Sequence, residues 1–596
     1  MNNKVIDNSV ANKKIIIFGG GISGLTVASE LLDKNFDVTL IEKNNVIGGM
    51  AKTRRENNNT PSEHSWRGFA PFYKNTFEIL KKIPFKNNDI RSNGSNGSNG
   101  SNGSNVSVYD TLSIPIDFYI LRDNLASYKP DTSITDKLVQ FYYGLKYYLS
   151  DKRKQVYDEI KLIPLIKNKL SKDGYDFLIE FISGPGYGME KKDMSLGHFL
   201  HFPLLQLNTK QYLHTHNYKQ QDKSVQTLHS SDHSSNKWHV MTGPTSEVWL
   251  EPWLKHLESK GLNVLFETEL ERFNINDGKI SSCLVKTNHR IYKLKADDYV
   301  LAINPFNAER VLQKSNMDDL YNQHRLMNAN TESKQISFRL GLDKNIAFPK
   351  DNIAFVMSDS EFNITWYPQE KHWTKNIKLD SNGIIKSLWS GTIIQSYGIG
   401  KLFNKKATNL SKSQLITEIK YQILRSKSFQ QLIYDNNGFY LSAKDIIYDE
   451  IWYEWKHDGT ELNSVEQKWA NNIYNEKYRP VQQTKYNNLY LSGAHTKTSI
   501  KIWSMESATE SGLLTTNHIL NKYNLEPAYY YEHKHSVLIK PFQKIDDGLY
   551  TLGLPNIIDV VLLVILCMII YRFVLRKNKR AHKLLAKLRK ILHVSG

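Results

Sequence analysis

The first strong pattern begins at residue 14, where four apolar residues, Ile15 to Phe18, run into three glycines. The stretch ISGLTVASELLDKNF follows with apolar positions at helical spacing, and then comes a second apolar run, DVTLIE. This order predicts a buried strand, a glycine turn, an amphipathic helix and a second strand, the opening of a βαβ unit. Residues 92–104 read SNGSNGSNGSNGS and offer no side chain that can pack, so they are a flexible insertion. From about 117 to 201 the chain is helical and rich in aromatics, and a polar tract at 214–239 then interrupts it. Beyond the tract, a helix ending at Gly261, a strand through Val264 to Phe266 and a buried strand within 296–306 are expected. Residues 307–471 mix strands and helices and read as a second domain.

The chemistry is signalled at the first turn. Gly19, Gly21 and Gly24 stand in the spacing that lets a strand turn tightly, a phosphate approach the backbone and a helix pack closely on its sheet. Ile22 and Ser23 start that helix, whose N-terminus offers free N–H groups to a pyrophosphate. Glu42 ends the second strand 18 residues after Gly24, next to Lys43. It is placed to accept hydrogen bonds from both ribose hydroxyls of an adenosine, which disfavours a 2′-phosphate. The three glycines alone are weak evidence, but strand, helix and acid together predict dinucleotide binding. A second glycine pair, Gly48 and Gly49, is followed by Lys52, Thr53 and Arg54. A further turn and a cation at this point suit a long, deeply held dinucleotide, which favours FAD over NAD.

This pairing resembles the flavin-containing amine oxidase and phytoene desaturase superfamily. Residues 63–73, EHSWRGFAPFY, and 357–373, MSDSEFNITWYPQEKHW, are similar to segments of its desaturase-like and hydroxysqualene-dehydroxylase-like members. Residues 489–512, LYLSGAHTKTSIKIWSMESATESG, resemble the strand, turn and helix start that close such enzymes over the flavin. The resemblance implies that Gly493 sits at the strand end, while Met505 and Glu506 open a helix facing the flavin pyrimidine. Two departures stand out: Ala494 replaces an acid common in relatives, with His495 as a substitute polar group, and Ser507 replaces a glycine. Met50 stands where amine oxidases often carry an arginine, which leaves Lys52 as the expected phosphate partner.

The implied fold class is α/β: a Rossmann-type FAD-binding domain, an interleaved α+β substrate domain and a C-terminal transmembrane helix. The expected boundaries are a disordered N-terminus (1–13), FAD-binding parts (14–91, 240–306 and 472–523) and the low-complexity insertion (92–105). A helical substrate-side region (106–239), a substrate domain (307–471), a linker (524–555), a transmembrane helix (556–575) and a basic amphipathic tail (576–596) complete the chain.

Charge changes the picture only at the C-terminus. Of a formal +18, eight positives without an acid lie in the last 21 residues, leaving +10 over the rest and no basic-aromatic stripe. Nucleic-acid binding is therefore not expected. Residues 557–575 form an apolar run of 19, about 28 Å as a helix, against a hydrocarbon core of about 30 Å. A single membrane pass near the C-terminus follows, with an interfacial helix after it. The positive-inside rule would keep the basic tail in the cytosol and send the main domain across. The polar N-terminus, which lacks a signal-peptide pattern, instead favours a tail-anchored chain with a cytosolic catalytic domain.

There are two cysteines, Cys283 and Cys567, so neither a disulfide framework nor a CxxC metal site is available. No metal site is expected: the histidines of the polar tract, His229 and His233 among them, read as a solvated loop. With no cysteine near the motifs, FAD is expected to be held non-covalently. The leading reading is an FAD-dependent oxidoreductase of the desaturase or amine-oxidase type that takes hydride from a small lipophilic substrate. The alternatives are a catalytically degenerate flavin-fold membrane scaffold and an amine or polyamine oxidase. No triad or carboxylate pair is visible, so the catalytic residues are left unknown, with His64 and Arg67 as candidate polarising groups. Both also fit a purely supporting role. Trp366 and Trp503 are candidate cavity walls.

Overall fold

The computed structural model describes residues 10, 12–55, 58–65, 67–85, 106–113, 115–122, 125–127, 132–215, 238–288, 290–329, 334–373, 377–464, 466, 468–533 and 537–572. The SNG repeat, most of the polar tract, the N-terminal residues 1–9 and the basic tail lie outside these residues.

The strand Lys14–Phe18 is the centre of a five-stranded parallel sheet, ordered Leu489–Leu491, Asp298–Leu301, Lys14–Phe18, Asp37–Ile41 and Asn263–Leu265. Apart from the edge strand Asn263–Leu265, its short apolar strands are mostly buried, as a parallel sheet covered by helices requires. The helix Ile22–Leu32 is buried along its whole length and packs against the helix Met505–Lys522. The first and last motifs of the chain thus lie side by side. At their crossing a Cβ on Gly512 would stand 2.8 Å from Thr26 Cβ and 2.9 Å from Ser23 O. A three-stranded antiparallel sheet, Thr268–Asn276, Lys279–Thr287 and Arg290–Leu294, is appended to this domain.

The second domain is built on a seven-stranded mixed sheet ordered Ile446–Ile451, Ile336–Leu342, Ser387–Ile393, Ile364–Pro368, Ile353–Met357, Asp117–Arg122 and Leu125–Ser127. Its central strands are buried at every position because both faces are covered. One face carries the helices Lys412–Arg425 and Lys427–Asn437, whose Leu415, Ile419, Phe429 and Ile433 join its core. The other faces the first domain, where Arg339 Nη2 donates to Glu63 O at 3.2 Å. Side-chain alternation decides which residues reach which face. Trp366 stacks on Trp389 at 4.3 Å and Phe355 at 4.4 Å and meets Phe429 on the helix-covered side. It is core rather than the cavity wall expected from sequence. A helical layer between 134 and 215 covers the cavity side.

The C-terminal apolar run forms a helix at Ile557–Ile570, 14 residues long. Among the described residues no helix is long and apolar enough to cross a membrane. The expected transmembrane helix thus differs from what is described: helical pairing widens at Tyr571 and Arg572, and the last three residues of the 19-residue run lie outside the described residues.

Candidate functional site

The first glycine turn is shaped by close backbone approaches. Gly19 has φ +105°, and a Cβ there would stand 2.4 Å from Ala302 O. A Cβ on Gly24 would stand 2.0 Å from Gly19 O, so the helix can lie this near its strand only without a side chain. Gly21 is different, because a Cβ there would meet nothing within 4 Å. It caps the helix without a side-chain hydrogen bond. An open face over an uncapped helix N-terminus is an anion site.

Glu42 stands beside this turn, buried. Its Oε2 accepts from Gly20 N at 2.8 Å, and its Oε1 accepts from Asn44 N at 2.9 Å and Asn44 Nδ2 at 2.7 Å. Burial raises its pKa, and these three donors oppose that rise. The second glycine turn is tied to the first by Gly48 N donating to Gly20 O at 2.7 Å, and Gly49 looks across at Gly21 Cα.

The third side comes from the far end of the sequence. Ser492 Oγ lies 2.5 Å from Ser23 Oγ, and Gly493 N donates to Ser511 Oγ at 2.9 Å. Buried Arg479 grips the loop that follows, donating to the carbonyls of Ala494, His495 and Thr496. Ser504 caps the last helix by accepting from Ser507 N.

These segments enclose a cavity of about 370 Å³. At the end marked by Glu42 it is lined by Lys43, Glu269 and Glu466, with Lys43 paired to Glu466 at 3.1 Å. The lining also includes His64, Arg67, Lys468 and the aromatic residues Tyr73, Tyr187, Trp238 and Trp503. Lys468 Nζ donates to Tyr187 O at 2.9 Å and Gly188 O at 3.2 Å, and burial lowers its pKa to about 7. Burial also lowers His64 to about 3, so its imidazole is neutral, and its Nε2 is buried without a partner. A dinucleotide fits this arrangement, with the open Gly21 face for its pyrophosphate and the Glu42 carboxylate for its ribose. His64 Nε2 and Arg67 Nε, buried without partners, also belong to residues of the lining.

The family model of an NAD(P)-binding Rossmann-like domain matches residues 17–83. Carotenoid phi-ring synthase from Chlorobaculum tepidum is 32% identical over 82 residues, and zeta-carotene desaturase from Zea mays is 33% identical over 75 residues. Each match spans 13% of this chain and 13% of the relative's length. In overall fold the chain is similar to a triple mutant of putrescine oxidase from a redesign of its cofactor binding. The TM-score is 0.57 at 11% identity, covering 86% of this chain and 99% of the other. The chain thus opens with a Rossmann-like nucleotide-binding segment that is similar to those of two proteins named for carotenoids, and it shares its overall fold with putrescine oxidase.

Of the residues expected from sequence, Gly19, Gly21, Ile22, Ser23, Glu42, Lys43, Gly49, Gly493 and Met505 all line the cavity, as do His64, Arg67 and Trp503. Four expected cofactor residues do not. Gly24 acts through helix packing. Lys52, expected at a phosphate, is instead buried between Glu454 and Glu466, at 2.9 and 2.8 Å. Thr53 joins Glu63 and Ser246. Glu506 turns its carboxylate away from the cavity onto the helix Lys74–Lys82, accepting from Asn75 N, Asn75 Nδ2, Thr76 N and Thr76 Oγ1 at 2.7–2.9 Å. The four unpaired N–H groups at a helix start are a strong draw for a buried carboxylate.

Arg67 bonds the Met50 and Ser65 carbonyls at 2.5 and 2.8 Å, so it also braces the second glycine turn. Ser507, in place of a glycine, bonds Thr498 Oγ1 at 2.7 Å and so ties the helix start to the loop over the cavity. His495 lines the cavity with Nδ1 unpartnered, and burial keeps it neutral. Sequence reasoning missed Tyr187, Lys468 and Glu466. The run GPGYG at 184–188 was a visible signal for the first, whereas the two charged residues carry no local motif.

Proposed function

We propose that this chain is an FAD-dependent oxidoreductase, tethered to a membrane near its C-terminus, that takes hydride from a lipophilic substrate. The observation that carries this reading is the aromatic lining of the cavity, Tyr73, Tyr187, Trp238 and Trp503, beside the glycine-turn cradle. The cavity's acids, Glu42, Glu269 and Glu466, gather at the adenosine end, where Thr268 N donates to Glu42 O and Lys43 engages Glu466. The lining also presents these aromatic rings together with Lys468 and Arg67. A protonated amine would meet the Arg67 guanidinium there, which speaks against an amine or polyamine oxidase. An apolar chain lying along Tyr73, Tyr187, Trp238 and Trp503 would meet no such cost, and the similar proteins named for carotenoids point the same way.

Bound FAD supplies a ring that accepts a hydride equivalent. The chain's own residues would bind and orient it: Gly21 and the following helix start would hold the pyrophosphate and Glu42 the ribose, beside the Arg479-braced loop at 493–498. Neither cysteine lines the cavity, which supports non-covalent binding. This intact cradle argues against a degenerate scaffold. The exposed apolar helix Ile557–Ile570 supports a membrane tether, and we read the catalytic domain as cytosolic.

An absorbance spectrum of the purified full chain, with a denatured aliquot, tests the cofactor. Flavin bands released as free FAD, then bleached anaerobically by a polyene or isoprenoid substrate and not by putrescine, are expected. A colourless protein that takes up no FAD would return the scaffold reading, and bleaching by amines alone the amine-oxidase one. Resistance to carbonate extraction and full protease sensitivity of the main domain in intact vesicles test the placement.

A further inference from the structure

Two helices near the C-terminal apolar helix each turn an apolar stripe outward, although the first also packs Val139, Tyr143 and Tyr147 on the core. In Ile134–Tyr148 the buried side chains are Asp136 and Tyr147, while Ile134, Leu138 and Phe141, spaced to share one face, are exposed. In Lys540–Thr551 the buried residues are Gln543 and Asp546, while Phe542 and Ile545 point outward. Leu138 and Phe141 are 61% and 67% exposed, and Phe542 and Ile545 are 49% and 53% exposed. Helices on a water-facing surface place their apolar stripe the other way, and clustered apolar exposure marks a contact surface.

The polar sides of both helices are occupied in holding the apolar helix. Asp559 accepts from Tyr142 Oη and Lys146 Nζ, both at 2.6 Å. Asp546 accepts from Ile557 N at 2.7 Å and Arg153 Nε at 2.9 Å, and Arg153 Nη2 donates to Leu554 O at 2.7 Å. The three elements are therefore fixed to one another with their apolar residues outward, and residues 561–570 are exposed throughout.

We propose that the outward faces of Ile134–Tyr148 and Lys540–Thr551 form a bilayer-contacting surface, continuous with the helix Ile557–Ile570, that seats the protein in the headgroup and upper acyl region. Lipid is the occupant because the surface continues into a helix bare of protein cover. Exposed Lys137, Lys540 and Lys544 also lie among its apolar residues, where they can reach anionic headgroups. This inference rests on the reading that the chain sits at a membrane, but not on residues 557–575 crossing it.

The test uses the full chain with Cys567→Ser and one new cysteine carrying an environment-sensitive fluorophore, at Phe141, Ile545, Ile565 or the distant turn residue Asp277. Retained flavin content checks that each variant is folded. With phosphatidylcholine–phosphatidylserine vesicles bearing nitroxide lipids, severalfold quenching at 141 and 545 and none at 277 is expected. Quenching at 565 alone overturns the surface and leaves the tether standing. Quenching at 141 and 545 without 565 upholds the surface while the tether reading falls. If 141 and 545 escape lipid quenching and the chain sediments as a dimer that shields them, a second copy covers this face and the inference is overturned.

Discussion

Lys52 Nζ lies 2.8 Å from Glu466 Oε2, across a sequence separation of 414 residues. The pair ties the second glycine turn to the chain's last third, and Glu454 completes it at 2.9 Å. Lys52→Met would leave two buried carboxylates short of their cation, a loss of about 3–5 kcal/mol. The denaturation midpoint should drop even with no flavin present. Burial pushes the Glu466 carboxyl up, but Lys52 and Lys43 outweigh it and hold it at about 2, against 4.5 unperturbed. A depressed carboxyl stabilises the fold above its unfolded value and loses that contribution as pH falls through the folded one. The wild type should therefore lose stability between about pH 4.5 and 2 more steeply than Lys52→Met. Equal slopes in acid titrations of stability would refute the pair's role.

Two glycines three residues apart should fail differently. Gly24→Ala forces a Cβ to within 2.0 Å of Gly19 O, so helix and strand must separate. Overpacking of this kind costs about 1–3 kcal/mol or more. Gly21→Ala meets no protein atom within 4 Å, and its new methyl occupies only the face open to the pyrophosphate. Flavin-free Gly21→Ala should melt with the wild type yet bind FAD much more weakly, whereas Gly24→Ala should lose both. Flavin content and melting temperature, measured on the same samples, separate the two.

The same contrast shows what the sequence could reveal. The strand, glycine turn and helix at 14–32 and the segment at 489–512 were legible because backbone geometry dictates them: only glycine fits Gly24's contact with Gly19 O, and only a tight turn follows Phe18. The charged residues were not. Lys52 and Glu506 occupy motif positions, yet each side chain is claimed by partners far away in sequence, Glu466 and the start of the 74–82 helix. Such long-range pairing leaves no periodic trace. Trp366 was misplaced for a related reason. Period-2 alternation assigns neighbours to opposite faces but does not say which face the cavity occupies.

Trp366 therefore offers a clean control. It stacks on Trp389 and Phe355 behind the mixed sheet. Trp366→Ala should cost about 3–5 kcal/mol through the void it leaves. Under conditions where the variant stays folded, its FAD affinity and flavin spectrum should match the wild type. Trp503→Ala, at the cavity wall, should do the reverse and shift the spectrum with a smaller stability loss. A spectral change in Trp366→Ala would put that ring back at the cavity.

Lys468 gives a pH dependence that begins near neutrality. Its ammonium is buried against two carbonyls with no acid beside it, and desolvation brings it from 10.5 down to about 7. Between these values the unfolded chain holds a proton at this residue that the folded chain has released. Stability must then rise with pH across that window. Lys468→Met removes the titrating group and should flatten the rise, measured by denaturant midpoints from about pH 7 to about pH 9.5. His64 does not blur this window, since its own release lies near 3. The consequence for the site follows from the same proton. If Lys468 faces the substrate, flavin reduction should carry an apparent pKa close to 7 that is absent in Lys468→Met. A wild-type slope in stability without that kinetic limb would place the ammonium in the cavity wall but away from the reacting atoms.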